Sequence, residues 1–273
     1  MAIIFDGRLS AGDFSPYNRV DIEPAAADIP PIGAGRAGVY ERVLDPIGGR
    51  RYVAKLTASS GAPGRCELRP FQTDMAGSGP EYGELWYSFE HLFMDWTIDR
   101  SQSVTAAISS QLGDARDMLA QLHDTADGGD ATHQPPFLLA LEGDRIFFYT
   151  TYDTGATTTL TAPNLRVLKS FPLEFGRWIK WVFHIKYTIN SDGFIHVYKD
   201  RRKVYSVTGT PTAYNDTVGP FFKSGIYKYF GANSPASRTV YHSGIVVGDS
   251  SSSFLEVTGE SELDAPSIRG LMG

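Results

Sequence analysis

The sequence predicts an all-β protein, a sandwich of two antiparallel sheets with little helix. Three observations carry this. Short segments alternate apolar and polar residues with a period of two. Gly, Asn, Asp and Pro punctuate them at turn positions. Aromatic residues make up 12% of the chain and stand beside many Thr, Val, Tyr and Gly, a strand-favouring mixture. At 273 residues the chain can bury a sizeable core. The expected layout is one domain over 1–250 and a Ser- and Glu-rich C-terminal tail over 251–273.

Met1 to Gly7 reads as a first strand and turn, followed by a Pro- and Ala-rich loop. Gly33-Ala-Gly35-Arg-Ala-Gly38 matches the dinucleotide fingerprint only in form. It follows Pro-Pro rather than a strand, and the alternating Val39–Leu44 comes after it where a helix is required. Asp45–Gly49 is a turn leading into Arg51–Leu56, a hairpin. Arg65-Cys66-Glu67-Leu68-Arg69 places three charged residues on one strand face and two apolar ones on the other. Glu84–Glu90 alternates as well. Only Val104–Asp117 has some helical or irregular character.

In Asp117–His123, alternation puts Leu119, Gln121 and His123 on one face and Met118, Ala120 and Leu122 on the other. The loop from Asp124 to Asp130 is acidic and glycine-rich. It offers oxygen ligands for a structural calcium, but it lacks the full EF-hand spacing and a solvated turn is the favoured reading. Phe137–Leu141 and Arg145–Tyr149 form a hairpin, as do Trp178–Lys186 and Phe194–Lys199 across Gly193. Lys199–Lys203 is a charged hairpin tip. Gly219–Lys228 places Phe221, Lys223, Gly225 and Tyr227 on one face, where the glycine leaves room for a ligand to approach the backbone. Arg238–Val247 is the final strand.

Several function classes are disfavoured. The net charge of −6 argues against a nucleic-acid partner. Cys66 is the single cysteine, which removes intrachain disulfides and cysteine zinc sites and makes a buried hydrophobe the simple reading. No apolar run is long enough to span a membrane, and no signal-peptide pattern opens the chain. Glu81 and Glu84 stand beside a turn rather than in a tight carboxylate cluster on a strand, which disfavours a glycoside hydrolase.

Three of these stretches, in this order, resemble the jelly-roll polysaccharide lyases: the alginate lyases of polysaccharide lyase family seven and the related glucuronan lyase and heparin lyase I groups. The alginate lyases carry Arg-x-Glu-Leu-Arg, Gln-Ile-His and Tyr-Phe-Lys-Ala-Gly-x-Tyr strands. Here they read Arg65–Arg69, Gln121-Leu122-His123 and Phe221-Phe222-Lys223-Ser224-Gly225-Ile226-Tyr227. The Ala-Gln-Leu-His run before a Pro-Pro strand, and the Trp178–Lys186 strand with its Gly193 hairpin, look more like the glucuronan and heparin lyase side. Phe221 replaces a tyrosine of the motif and Ser224 an alanine.

The resemblance implies a concanavalin-like β-jelly-roll and β-elimination on a uronic-acid polymer, giving 4,5-unsaturated products. It implies that Arg65 and Gln121 bind the uronate carboxylate, with Arg69 or Lys223 adding positive field and Glu67 orienting Arg65. Tyr227 would protonate the leaving O4 and act as base for one C5 configuration, and His123 would be the base for the other or hold the substrate. A tyrosine must be assisted by nearby cations to act as a base, and Arg65 and Lys223 are the candidates. Lys186 and Tyr198, with Trp178 and Trp181, are expected at sugar subsites. The partner is an anionic polysaccharide and no cofactor is required. The expected place of action is extracellular, either on a virion or as a trimmed secreted protein. The rival reading is a non-catalytic carbohydrate-binding jelly roll of a virion or cell surface.

Overall fold

A computed structural model describes residues 3–10, 12–17, 19–23, 39–50, 52–58, 64–70, 81–94, 116–229 and 237–263. The motif at 33–38 and most of the stretch 104–117 lie outside the described residues. The strands are β1 (Ile3–Asp6), β2 (Arg19–Glu23), β3 (Tyr40–Leu44), β4 (Tyr52–Ala58), β5 (Gly64–Arg69), β6 (Glu81–Leu92), β7 (Arg116–Thr125) and β8 (Phe137–Glu142). They continue as β9 (Arg145–Thr150), β10 (Arg166–Pro172), β11 (Trp178–Thr188), β12 (Phe194–Lys199), β13 (Arg202–Thr208), β14 (Val218–Tyr229) and β15 (Arg238–Gly248). One short helix, α1 (Phe254–Thr258), follows.

The strands form two antiparallel sheets. The eight-stranded sheet runs β13-β12-β11-β6-β15-β4-β3 with β1 beside β15, and the seven-stranded sheet runs β10-β9-β8-β7-β14-β5-β2. Neighbours in space are mostly distant in sequence, as a jelly roll requires. The period-two pattern builds the core between the sheets. Val20, Ile22, Cys66, Leu68, Leu122, Phe222 and Ile226 point inward from one sheet, and Leu56, Phe89, Trp181, Phe183, Ile185 and Val240 from the other. Burying such side chains stabilises by about 1.5–3 kcal/mol each.

Two departures from the sequence reading follow from tertiary context. In β7 the pairing register shifts between Met118 and Ala120. Leu119 and Ala120 therefore both enter the core, whereas Met118 joins Leu138, Ala140, Phe147, Tyr149 and Tyr227 on the outer face. Simple alternation assigned Leu119 and Met118 the other way round, and a bulge reverses that phase. Downstream, Phe254 and Val257 of α1 pack with Trp86, Val182, Tyr198 and Val246 on the outside of the larger sheet. Ser253 and Glu256 close a capping box, and Gly259 ends the helix at φ 74°. The packed chain thus runs past residue 250, where only a tail was expected.

Candidate active site

The outer face of the seven-stranded sheet gathers the charged residues of β5, the Gln-x-His of β7 and the polar face of β14. The strand β14 lies between the other two. Its register places Lys223 opposite Gln121 and Phe221 opposite His123 on one side. On the other side it places Gly225 opposite Glu67 and Tyr227 opposite Arg65. Three stretches far apart in sequence become neighbours because antiparallel pairing brings alternate residues side by side.

Glu67 anchors the centre. It is fully buried, accepts a hydrogen bond from Gln121 Nε2 at 2.7 Å and lies 3.5 Å from Arg65 Nε. Burial pushes its carboxyl up, opposed by Lys223, Arg65 and the Gln121 amide. Lys223 is only 3% exposed and pairs with Asp21 at 3.2 Å. Burial lowers the Lys223 ammonium, while Glu67 and Asp21 support its charge. Burial also works to raise Asp21, but Lys223 and Arg19 outweigh it and hold that carboxyl low. Arg19 Nε sits 2.5 Å from Asp21.

Aromatic rings set the two ends. The Arg65 guanidinium lies over the Tyr227 ring, 3.7 Å from its centre. Arg69 lies over Phe221 at 3.8 Å, and His123 stacks on the same ring with centroids 5.3 Å apart. Phe221 supplies no hydroxyl, but it makes a platform on which Arg69 and His123 are both seated. His123 donates from Nδ1 to the carbonyl of its neighbour Asp124 at 2.5 Å, so its lone pair resides on Nε2. Burial, then the field of Lys223, Arg65 and Arg69, lowers its pKa to about 3, so the ring is neutral at ordinary pH.

The face therefore holds Arg19, Arg65, Arg69 and Lys223 against Asp21 and Glu67, a local positive excess on a chain of net charge −6. Asp21 and Arg19 were absent from the expected site. The alternation Arg19-Val20-Asp21-Ile22 carries the signal, because Val20 and Ile22 are core residues and the charges share the other face. Beside Tyr227, the patch of Met118, Leu138, Ala140, Phe147 and Tyr149 is roofed by Ala162 and Leu165. This roof is why β8 is buried along its whole length.

Lys186 and Tyr198 do not join this face. Both are on the eight-stranded sheet, where Lys186 pairs with Asp192 and Tyr198 is buried under α1. Trp181 is core, and Trp178 bonds Asp45 at 3.2 Å beneath Arg50. The alternation of β11 and β12 was legible, but which sheet they enter was not.

The acidic loop after β7 does not converge on one point. Asp127 accepts from the Thr217 amide at 3.0 Å and Asp130 from the Thr158 amide at 2.8 Å. Instead Asp124, His133 and Asp216 meet in the interior with ligand atoms within 4.8 Å of one another, a set that could hold a metal ion. His133 Nδ1 lies 3.0 Å from Asp124 and Nε2 3.5 Å from Asp216, and the ring stacks on Tyr214 at 3.9 Å. Burial opposes charge on His133, but the two carboxylates outweigh it and raise its pKa to about 10. A protonated imidazole thus offsets the charge of one of the two carboxylates.

A jelly roll whose outer face carries clustered cations, a neutral imidazole and a phenol has the parts for acting on an acidic sugar polymer. The chain belongs to the polysaccharide lyase family, whose model matches residues 9–246. Comparison with curated proteins gave no match. Among solved structures, the endo-β-1,4-glucuronan lyase from the fungus Trichoderma reesei superposes with a TM-score of 0.68 at 14% identity, over 95% of this chain and 99% of that one. The family-7 alginate lyase A1-II′ superposes at 0.58 with 14% identity, over 89% and 99% of the two chains. A GH131 β-glucanase catalytic domain from Podospora anserina also shares the fold, at 0.54 and 12% identity over 87% and 86%. Among the described residues no helix is long and apolar enough to cross a membrane.

Proposed function

We propose that this polysaccharide lyase cleaves a uronic-acid polymer, glucuronan, alginate or a related acidic exopolysaccharide or capsule, by β-elimination at the face around β14. The observation that carries this reading is the placement of neutral His123 and of Tyr227 at the two ends of a cationic strip whose middle is Gln121 and Lys223. Removing the C5 proton of a uronate builds a second negative charge on its carboxylate. Fixed donors in a dry groove stabilise that charge best. Arg65, Lys223 and the second N–H of Gln121 are suited to the task, and Glu67 holds Arg65 and Gln121 in place.

A carboxylate docked there also offsets the cations that depress His123. Its Nε2 then becomes a better proton acceptor when substrate is bound. Tyr227 transfers its proton to O4 as the C4–O4 bond breaks, so O4 leaves with the neighbouring sugar and the uronate that lost its C5 proton gains a C4–C5 double bond. For the opposite C5 configuration the phenol oxygen of Tyr227 takes both proton-transfer roles. Charge neutralisation and proton transfer are all assigned to side chains, so the reading calls for no organic cofactor. A polymer of this size is met outside a cell, which makes the site of action extracellular.

Incubation with a panel of uronic polysaccharides, read by ultraviolet absorbance of unsaturated ends, tests the reading. Tyr227→Phe and His123→Ala are each expected to lower the rate by about 10²–10⁴-fold while leaving the melting temperature near that of the native protein. Full activity in both variants would overturn these roles. A native protein that makes no unsaturated product from any uronic polymer would overturn the substrate class.

A further inference from the structure

Beneath the site, between the sheets, lies a polar knot that the chemistry above does not use. Ser224 is completely buried on the core side of β14. Its Oγ lies 3.0 Å from the Leu119 carbonyl, 2.9 Å from His242 Nε2 and 3.1 Å from His91 Nε2. Donor accounting assigns the hydrogens around Ser224, while His91 Nδ1 is buried with no hydrogen-bond partner among the described residues. The Gly244 amide donates to His242 Nδ1 at 3.0 Å, so His242 must carry its proton on Nε2 and donate it to Ser224. The single hydroxyl hydrogen of Ser224 goes to Leu119. His91 can then meet Ser224 only as a donor.

The knot joins β6 and β15 of one sheet to β7 and β14 of the other. It sits where two of the site-bearing strands change register, β7 against β8 between Met118 and Ala120 and β14 against β7 between Ser224 and Tyr227. Those two bulges decide that Met118 and Tyr227 pack together on the outer face. Buried polar groups add less stability than well-packed apolar ones, and their gain is one unique arrangement. The resembled motif has alanine at this position, which could not hold the Leu119 carbonyl.

We propose that Ser224, held by His91 and His242, is a positioning residue that fixes the Leu119 bulge and thereby the attitude of Gln121 and Tyr227 in the site. The role in turnover rests on the lyase reading of that face. The position of the side chains does not.

Ser224→Ala in the full chain tests it in two ways. Steady-state kinetics on the uronic polymer should show kcat reduced by about 10–100-fold with KM changed less than about two-fold, because the cations that bind the polymer are untouched. Ring resonances of His123 and Tyr227 in the NMR spectrum should move relative to the native protein. Ser224→Cys keeps a weak donor and acceptor in place and should fall between the two. Native kcat and unmoved resonances in Ser224→Ala, even with a lower melting temperature, would overturn the proposal. Should Ser224→Ala not fold, Ser224→Cys decides by the same readouts: reduced kcat with moved resonances supports the role, native values overturn it. If the native protein forms no unsaturated product, the lyase reading fails, and the resonances alone decide the positioning.

Discussion

The Gln121 amide on β7 reaches across β14 to the Glu67 carboxylate on β5, with 2.7 Å between Nε2 and Oε1. The residue beneath that crossing, opposite Glu67, is Gly225. Two side chains from strands that are not neighbours can meet only because the strand between them presents no side chain there. Their bond, with Arg65 3.5 Å from the same carboxylate, links the groups proposed to bind the uronate carboxylate. Glu67→Leu leaves Gln121 without its buried acceptor and Arg65 without its neighbouring charge. Its kcat/KM should fall by about 10²-fold with the fold retained, measured as initial rate of unsaturated product with circular dichroism as the control.

Gly225 itself should tolerate no side chain. Its φ of 155° is unfavourable for other residues, and a Cβ would meet the Cys66 carbonyl oxygen at 2.3 Å and Glu67 Cα at 2.9 Å. Both are backbone atoms of the paired strand, so relief requires β5 to move. Gly225→Ala should cost about 1–3 kcal/mol in a denaturant titration and reduce activity beyond what the stability loss explains.

The Asp124–His133–Asp216 cluster should make stability fall as pH rises. The folded value of His133 is about 10, against about 6.5 in the unfolded chain. Its contribution is complete below about 6.5 and is lost as pH rises through 10. Burial raises Asp124 to about 7, which adds loss of the same sign between the ordinary carboxylate range and neutrality. His133→Gln leaves two buried carboxylates with no cation between them and should destabilise by about 3–5 kcal/mol near neutral pH. Melting temperatures taken from pH 7 to 10 should fall for the native protein and stay flatter for the variant.

Lys186→Ala should leave lyase activity within about two-fold of native. The side chain is on the other sheet and is paired with Asp192, and a surface ion pair of this kind contributes about 0–1 kcal/mol. A large loss of turnover would mean that the polymer also contacts the eight-stranded sheet.

Most of the residues gathered on the candidate face were legible because they recur every second position on three strands. Arg65, Glu67 and Arg69, then Gln121 and His123, then Lys223 and Tyr227 each declare a polar face opposite an apolar one. Asp21 was legible by the same rule but lacked a motif to single it out. Lys186 and Tyr198 alternate equally well, so period alone could not exclude them. Met118 was misplaced because the register shift beside it leaves no mark in composition.

The sequence by itself determined the fold class, most of the strand faces and the charged and polar residues those faces offer. These are local properties, fixed by period-two alternation and turn chemistry. Only the tertiary structure decided which strands are neighbours, that Phe221 serves as a platform for Arg69 and His123, that His123 is held neutral, and that Ser224 ties the Leu119 bulge to two histidines of the opposite sheet. Each depends on contacts between residues distant in the chain, where burial and neighbouring charge, rather than residue identity, set what a side chain can do.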